Sequence, residues 1–458
     1  MDALDAFASA ARIADAVATG EVSAAAVTER TLDRIAVQDY AINAFTDVTA
    51  ARARAEAAAV DQAVAAGQRL GPLAGVPFAV KNLFDLKGEV TRAGSKINRT
   101  NTPAKTDAEL VQRLTDAGAV CIGALNMGEF AYDFTGENAH DGACRNPHDP
   151  KRMTGGSSSG SAAAVAAGFV PLSLGSDTNG SLRVPASLCG VYSLKPTYGR
   201  LPRGGTFPFV DSLDHVGPFA RSVDDLARVY DVLQGPSKVD HACVWIHPEP
   251  VRQSLKENGE PLRIGVLRGW FDANATDDAL TRRDTAIAHF VAGGAKIVDV
   301  VLDQAEAGRA AAYLITNAES SAFHLPTLRA RAADYDPDTR DRFLAGALLP
   351  ATWVQKAQRV RQWWLNQALQ AFTDCDVLLA PATPCAATLI GQKILTLNGV
   401  ERPLRPFLGL LSQPFSCIGL PVATAPVFSE GAMPIGMQLI APPWRENVAL
   451  RAAAIMNR

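Results

Sequence analysis

Two clusters of glycine and serine hold the residues of this chain whose types and spacing suit nucleophilic chemistry. Residues 154–161 read Thr-Gly-Gly-Ser-Ser-Ser-Gly-Ser, and residues 175–183 read Gly-Ser-Asp-Thr-Asn-Gly-Ser-Leu-Arg. Turns of this composition expose backbone N–H groups, which can hold an anion or a developing oxyanion. They also present hydroxyls, including Ser157 in the first cluster and Ser181 in the second. Together these groups suggest attack by a serine, provided that a base activates it.

One candidate base lies in a short apolar run far upstream. Residues 78–83 are apolar except for Lys81 and Asn82, which predicts a buried strand with a lysine near its end. Burial lowers the pKa of a lysine, and an uncharged amine can accept a proton. A lone lysine more commonly extends its ammonium group to the surface, and the segment by itself favours that interpretation.

Other catalytic motifs fit the sequence less well. Residues 156–160 match the G-x-S-x-G elbow with Ser158 central, but that motif needs a strand directly before it. Residues 149–154 make a poor strand by sequence, so we interpret the match as accidental. No S-x-x-K spacing and no Gly-Lys-Ser/Thr loop occurs. The seven histidines are scattered without H-E-x-x-H or other metal spacing, so no metal is expected.

Composition limits the class of protein. The chain has 458 residues, of which 48% are hydrophobic and 20% charged, and this is typical of a globular protein. A net charge of −3 argues against a broad basic surface for nucleic acid. The first residues lack the basic region of a secretory signal, and no apolar run is long enough to span a bilayer. Seven cysteines without a C-x-x-C pair argue against zinc and a disulfide framework. We expect a soluble protein of a reducing cytoplasm that needs no cofactor.

Alternating helix and strand patterns predict the elements that position these residues. Residues 1–70 are predicted to form an outer helical layer, 71–235 the catalytic core, and 236–458 further strands and helices over the pocket. The alternation is typical of an α/β fold, and we expect a single domain over residues 1–458. Between the clusters we predict a helix at 162–167, followed by a strand at 170–174. The region after Pro185 is expected to be irregular.

Taken together, these motifs resemble the amidase signature family. The resemblance runs from about residue 73 to 233 and resumes at 376–384 and 419–440, so it covers most of the chain. Its centre is the pair of clusters, continued by Lys-Pro-Thr-Tyr-Gly-Arg at residues 195–200. The resemblance implies a central mixed β-sheet covered by helices on both faces.

The resemblance also implies a triad of serine, cis-serine and lysine. Matched by motif, Ser181 is the nucleophile, Ser157 the bridging serine and Lys81 the base, with a cis peptide bond before Ser157. An acyl-enzyme forms on Ser181, ammonia or an amine leaves, and water completes the hydrolysis. The implied oxyanion hole consists of backbone N–H groups of Thr178, Asn179, Gly180 and Ser181.

Three further residues are candidates for substrate binding, each with an alternative role. Asn179 stands where many family members carry glycine, so it serves either through a left-handed backbone or through a side chain that narrows substrate choice. Tyr132 either lines a pocket or packs in the core. Arg183 either binds a substrate carboxylate or braces its own loop.

Within the family, residues 127–138 and 175–185 resemble the 1-carboxybiuret hydrolases of cyanuric acid breakdown. That resemblance implies cleavage of a C–N bond in a small ureido acid, either 1-carboxybiuret or a biuret-like compound, with release of ammonia. It also implies a small helical partner, similar to an amidotransferase C subunit, in a dimer of heterodimers without direct nucleic acid or membrane contact. The alternatives are the glutaminase A subunit of a glutamyl-tRNA(Gln) or aspartyl-tRNA(Asn) amidotransferase, a broad aliphatic or aryl amidase, and a non-catalytic scaffold.

Overall fold

A large mixed β-sheet organises the molecule. The structure, a computed structural model, describes residues 2–255 and 260–456. Its strands are β1 (Phe45–Val48), β2 (Pro77–Lys81), β3 (Val120–Leu125), β4 (Arg145–Asn146), β5 (Asp149–Met153), β6 (Leu172–Asp177), β7 (Tyr192–Lys195), β8 (His215–Ala220), β9 (Arg263–Leu267), β10 (Lys296–Val300), β11 (Val377–Pro381), β12 (Ile394–Leu397), β13 (Val400–Pro403), β14 (Val422–Val427) and β15 (Ile435–Ile440). Eleven of them form one sheet in the order β1-β3-β2-β6-β8-β7-β14-β15-β11-β9-β10. The strand pairs β4–β5 and β12–β13 form two small separate sheets.

Helices flank this sheet. They are α1 (Ala10–Ala18), α2 (Ala24–Ile42), α3 (Ala50–Ala65), α4 (Glu109–Asp116), α5 (Ser159–Ala166), α6 (Arg183–Cys189), α7 (Val223–Leu233), α8 (Val251–Ser254), α9 (Trp270–Ala273), α10 (Asp277–Ala292), α11 (Ala305–Arg331), α12 (Pro337–Gly346), α13 (Ala351–Ala371), α14 (Leu404–Leu408), α15 (Gln413–Cys417) and α16 (Glu446–Met456). In the two described ranges, no helix is both long enough and apolar enough to cross a membrane. The predicted α/β fold with a central mixed sheet is confirmed.

The centre of the sheet brings the two regions of interest to one edge. Strand β2 lies between β3 and β6 and runs parallel to both. Because parallel neighbours end at the same edge of a sheet, Lys81 at the end of β2 lies beside the turn that follows β6. The sheet also collects strands from all three predicted parts of the chain, and on this basis we propose that residues 1–458 form one domain. Residues 1, 256–259 and 457–458 of that range lie outside the described residues.

Three local predictions near the clusters are wrong. Strand β6 continues to Asp177, because residues 175–177 pair with β8 instead of starting a turn. Pro185 lies inside helix α6, where the first helical turn needs no N–H donor from it. Residues 149–153, expected to be a poor strand, form β5, although β5 belongs to the small sheet with β4 and lies outside the main sheet.

All seven cysteines are buried and free of disulfide bonds. Burial raises the pKa of every one of these thiols above its ordinary value. The absence of a disulfide framework, expected from the spacing of the cysteines, therefore matches the structure of all seven.

Candidate active site

Strand β2 carries Lys81 into the interior of the protein. The side chain has an exposed fraction of 0%, at the end of a strand that is buried along its whole length. Its Nζ atom lies 2.7 Å from Oγ of Ser157. The Oγ atoms of Ser176 and Ser158 lie 2.9 Å and 3.1 Å from the same nitrogen. The interpretation favoured by the segment alone, a surface ammonium group, is wrong, since β3 and β6 enclose β2 on both sides.

Burial determines the ionisation of this lysine. Removal from water lowers the pKa of Lys81 to about 7, and the charges of Asp214, Asp177 and Asp133 oppose that shift only in part. Among the described residues, no carboxylate lies close enough to form a salt bridge with the amine. Near neutral pH a substantial fraction of the amine is therefore neutral and able to accept a proton from a neighbouring hydroxyl.

The three hydroxyls around Lys81 are not equivalent. Ser158 donates its hydroxyl proton to the carbonyl oxygen of Ser176 at 3.1 Å and accepts the N–H of Ser176 at 3.2 Å. Its proton is thus committed to the backbone, whereas Ser157 and Ser176 can donate theirs to the lysine. The peptide bond between Gly156 and Ser157 is cis, as the resemblance implied. Through its two bonds to Ser176, Ser158, the central residue of the elbow-like match, joins the start of α5 to β6.

A buried carboxylate holds the turn after β6. Asp177 accepts the N–H of Gly180 at 2.7 Å and the N–H of Leu182 at 3.1 Å. It also pairs with the guanidinium of Arg183, from Nε to Oδ2 at 3.0 Å, and both side chains are fully buried. Arg183 makes a further bond to the carbonyl oxygen of Ser412 at 2.8 Å. Of the two roles considered for Arg183, its position fits bracing of this turn and not contact with a substrate.

The same turn presents backbone donors. The N–H of Gly180 is occupied by Asp177, so the structure places it away from an oxyanion. The N–H groups of Thr178, Asn179 and Ser181 have no acceptor within the part of the chain that the structure describes. Three of the four expected oxyanion donors thus remain available beside the proposed nucleophile.

A cavity of about 180 Å³ opens on this turn. Drug-sized ligands occupy pockets of about 300–1,000 Å³, so the cavity suits a small molecule. Ser181 is the serine that lines it within the described ranges, and the exposed fraction of that residue is 3%. The remaining lining residues are Ala131, Tyr132, Asp133, Phe134, Thr178, Asn179, Phe209, Arg309, Tyr313, Thr316, Arg342, Arg405, Pro406 and Gln413.

Three arginines line the cavity, and two of them leave it cationic. Arg405 is neutralised, since it pairs with Asp133 and Asp338 at 3.0 Å each. Arg309 instead donates to the neutral side chain of Gln413 at 3.0 Å. Arg342 donates to backbone carbonyl oxygens and lies 3.7 Å from the centroid of the Tyr132 ring. Neither Arg309 nor Arg342 has a carboxylate partner in the described structure, so the cavity is suited to an anion.

Tyr132 and Asn179, the other two candidate binding residues, line the cavity. Tyr132 donates its hydroxyl to Asn317 Oδ1 at 2.7 Å, and its side chain is buried. Asn179 donates from Nδ2 to Thr316 Oγ1 at 2.8 Å, which ties the turn to helix α11. The backbone of Asn179 does not have a positive φ, so the left-handed role considered for it is wrong. Gly180, with φ of 139°, supplies the unusual conformation instead.

Comparison with known proteins decides the family. The family model described as Amidase matches residues 26–450. A 1-carboxybiuret hydrolase component, AtzE of Pseudomonas sp. (strain ADP), is 52% identical over 447 residues, which cover 97% of each chain. The chain belongs to the amidase signature family.

Two further relatives bear on the function of this amidase. The A subunit of the glutamyl-tRNA(Gln) amidotransferase of Prochlorococcus marinus (strain MIT 9313) is 38% identical over 461 residues, covering 95% of this chain and 93% of the relative. A solved structure described as an unexpected vestigial protein complex, bearing on the origins of an s-triazine catabolic enzyme, aligns with a TM-score of 0.95. That alignment has 52% identity and covers 98% of both chains. The amidase is a hydrolase of carbon–nitrogen bonds other than peptide bonds, and this prediction is confirmed.

Sequence reasoning missed the part of the amidase cavity that lies far from the clusters. Arg309, Tyr313 and Thr316 all come from helix α11, and Arg342 comes from α12. Spacings of four and three residues place the first three side chains on one helix face, and this spacing is the sequence feature that could have grouped them. The sequence places Ser176 in a predicted turn, whereas in the structure it lies on β6 and for that reason contacts Lys81.

Proposed function

We propose that this amidase hydrolyses a C–N bond of a small carboxylated ureido compound, either 1-carboxybiuret or a biuret-like acid, with release of ammonia. One observation carries the proposal: Ser181 shares a cavity of about 180 Å³ with Arg309 and Arg342, which have no carboxylate partner in the described ranges. The identity of 52% to AtzE supports the ureido class of substrate. The small volume and the positive charge both disfavour a broad aliphatic or aryl amidase.

In the proposed mechanism, the neutral amine of Lys81 is the base. The amine is hydrogen-bonded to Oγ of Ser157 at 2.7 Å and takes the hydroxyl proton of that serine. Ser157 in turn takes the hydroxyl proton of Ser181. The pKa of about 7 allows the amine to accept the proton and later to return it. Ser176 supports the amine with a second hydroxyl contact at 2.9 Å.

Ser181 Oγ then attacks the carbonyl carbon of the substrate. The developing oxyanion is held by the N–H groups of Thr178, Asn179 and Ser181. The C–N bond breaks as the leaving nitrogen receives the proton returned through Ser157, so ammonia departs and the rest of the ureido group remains on Ser181 as a carbamate ester. Water, deprotonated by the same route, attacks this ester and releases the corresponding carbamic acid together with the restored serine.

The arginines are proposed to bind the carboxylate at the other end of the substrate. Arg309 and Arg342 line the cavity from helices α11 and α12, and each can offer N–H donors to an anion. Tyr132 supports Arg342 through its ring and its carbonyl oxygen. A bound carboxylate fixes the distance between the anchored end and the attacked carbonyl, which is how a small cavity selects its substrate.

A second candidate function is the glutaminase activity of an amidotransferase A subunit. Glutamine also carries a carboxylate and a terminal amide, so the cationic cavity is compatible with it. The relative with this activity is 38% identical, against 52% for AtzE, and the ureido acid is therefore the preferred substrate.

We also propose that the amidase works with a small helical partner, in a dimer of heterodimers, within the reducing cytoplasm. The solved relative described as a protein complex supports a partner, and the seven unpaired cysteines support a reducing compartment. Copurification of a tagged chain from its natural source, followed by mass determination of the assembly, tests the proposal. A tagged chain recovered alone as a monomer would contradict it.

Ammonia release from a panel of substrates tests the proposed function. The panel contains 1-carboxybiuret, biuret, glutamine, and simple aliphatic and aryl amides, each with wild-type protein and Ser181→Ala. We expect turnover of the carboxylated ureido compound and, for Ser181→Ala, a loss of at least about 10³-fold, since removal of a nucleophile abolishes the covalent route. Glutamine as the sole productive substrate would select the second candidate, and unchanged turnover by Ser181→Ala would refute the nucleophile.

A further inference from the structure

Residues 129–132 connect the core of the protein to helix α12, and we propose that Glu129 is a positioning residue for Arg342. The inference rests on the proposed contact between Arg342 and a substrate carboxylate. Arg342 lies in the second half of α12, so its place in the cavity depends on how that helix is attached to the core. Glu129 has an exposed fraction of 1% and precedes Tyr132, whose ring Arg342 covers, by three residues.

The carboxylate of Glu129 fixes the start of α12. Its Oε2 accepts the backbone N–H of Asp336, the residue immediately before the helix, at 2.8 Å. Its Oε1 accepts the hydroxyl of Ser95 at 2.7 Å and lies 2.8 Å from Nε2 of His140. A buried carboxylate is stable only where such donors surround it. Glu129 therefore joins the beginning of α12 to two groups on the core side.

The backbone after Glu129 contacts the other half of the helix. Phe130 and Ala131 both have left-handed φ values, 49° and 62°, which are uncommon for residues other than glycine. This conformation places the ring of Phe130 6.4 Å from the ring of Phe343 on α12. It also presents the carbonyl oxygen of Tyr132 to the guanidinium of Arg342. Residues 129–132 thus contact α12 at its start and again beside Arg342.

These contacts predict a specific kinetic effect. The proposed nucleophile, bridging serine and base lie outside α12, and in the described structure the side chain of Glu129 has no hydrogen bond to any of the three. Loss of the Glu129 bond therefore leaves the chemical step intact, but it lets the start of α12 move and Arg342 with it. A misplaced charged donor weakens binding of the substrate carboxylate. The expected result is a raised KM with little change in kcat.

Two variants weaken the bond from opposite sides. Glu129→Gln keeps the shape of the side chain but removes its charge and leaves one acceptor oxygen for partners that now share two. Asp336→Pro removes the N–H donor, and the native φ of −56° and ψ of 126° suit proline. Asp336→Ala is the matched control, because it loses the same side-chain cap and keeps the N–H. Glu137→Gln is a second control, since among the described residues the side chain of Glu137 accepts a hydrogen bond only from the N–H of Gly391, at 2.7 Å.

The variants are assayed with 1-carboxybiuret, or with glutamine if the panel selects the second candidate, after thermal melting confirms that each is folded. We expect Glu129→Gln and Asp336→Pro to raise KM about tenfold, with kcat within about twofold of wild type. Both controls, Asp336→Ala and Glu137→Gln, should keep a KM close to that of the wild-type protein. Because Glu129 acts through Arg342, Glu129→Gln should add nothing to the KM of an Arg342→Gln variant.

Each other outcome has a defined meaning. If Asp336→Pro behaves like Asp336→Ala, the bond to Glu129 does not position the helix, and the inference is refuted. If the effects of Glu129→Gln and Arg342→Gln multiply, Glu129 acts through another group, and the inference again fails. If Arg342→Gln leaves KM unchanged, the failure lies earlier, in the carboxylate contact of the proposed function.

Discussion

Two lysines, Lys81 and Lys195, are alike in burial and ionisation but differ in what surrounds them. Both have an exposed fraction of 0%, and burial lowers the pKa of each to about 7. Lys81 contacts three serine hydroxyls, one of which belongs to the cis peptide unit. The amine of Lys195 donates only to the carbonyl oxygen of Pro196, at 3.2 Å, within the described structure.

The difference shows that a lowered pKa identifies a buried amine and not a catalytic one. Besides burial, the charge of Arg183 lowers the pKa of Lys195 further, whereas the charges of Asp177 and Glu446 oppose that shift. Without a hydroxyl partner, Lys195 has no group from which to take a proton. The hydroxyls around Lys81 supply such groups, and this contact distinguishes the proposed base from a structural lysine.

The largest expected effect is on turnover. Lys81→Met should lower kcat by about 10³-fold or more, because a positioned general base contributes about 10²–10⁴-fold and here also starts the proton relay. Lys195→Met, the matched variant, should keep kcat within about threefold of wild type. Steady-state ammonia release measures both. Equal losses in the two variants would show that burial, and not the hydroxyl contacts, sets the role of each lysine.

The next effect is the dependence of turnover on pH. Lys81 acts as a base only when it is neutral, so kcat should fall about tenfold for each pH unit below its pKa of about 7 and level off above it. Lys195→Met should retain this acidic limb at the same position. The assignment of Lys81 as the base would be contradicted if the wild-type protein showed no acidic limb, or if the limb disappeared in Lys195→Met.

The smallest effect, on stability, should be shared by both lysines. In the unfolded chain a lysine has a pKa of about 10.4, so between about pH 7 and that value only the unfolded state carries the proton. The free energy of unfolding therefore rises with pH across this window. Each Lys→Met variant should lose part of the rise, on the order of 2 kcal/mol between about pH 7.5 and about pH 9.5. Urea unfolding at the two pH values measures it, and a slope unchanged in both variants would show that neither amine is neutral in the folded protein.

Sequence reasoning predicted the residues of the clusters but not all of their surroundings. Motif matching proposed Lys81 and Ser157, which are 76 residues apart in the chain and hydrogen-bonded in the structure. The parallel pairing of β2 with β6 places Ser176 beside Lys81, and helix α5, which packs against both strands, brings Ser157 to the same amine. No local pattern specifies which strands pair. For the same reason the burial of Lys81 was missed, since its own segment does not reveal the two neighbouring strands.

The prediction of substrate-binding residues was weaker, for a physical reason. Arg183 was considered because it lies close to Ser181 in sequence, yet the first turn of α6 directs it to Asp177. The arginines that line the cavity lie on α11, on α12 and in α14. A cavity wall is assembled from elements distant in sequence, so neighbourhood along the chain does not find it. Helical spacing places Arg309, Tyr313 and Thr316 on one face of α11 but does not say what that face contacts.

Because all seven cysteines are buried, their reaction with an alkylating reagent reports local opening of the fold. A thiol reacts as a thiolate, and in the native state burial disfavours that form while excluding reagents from each sulfur. Alkylation must therefore wait for a fluctuation that exposes the site. Since the cysteines are distributed from β3 to α15, their individual labelling rates show how readily different regions of the fold open.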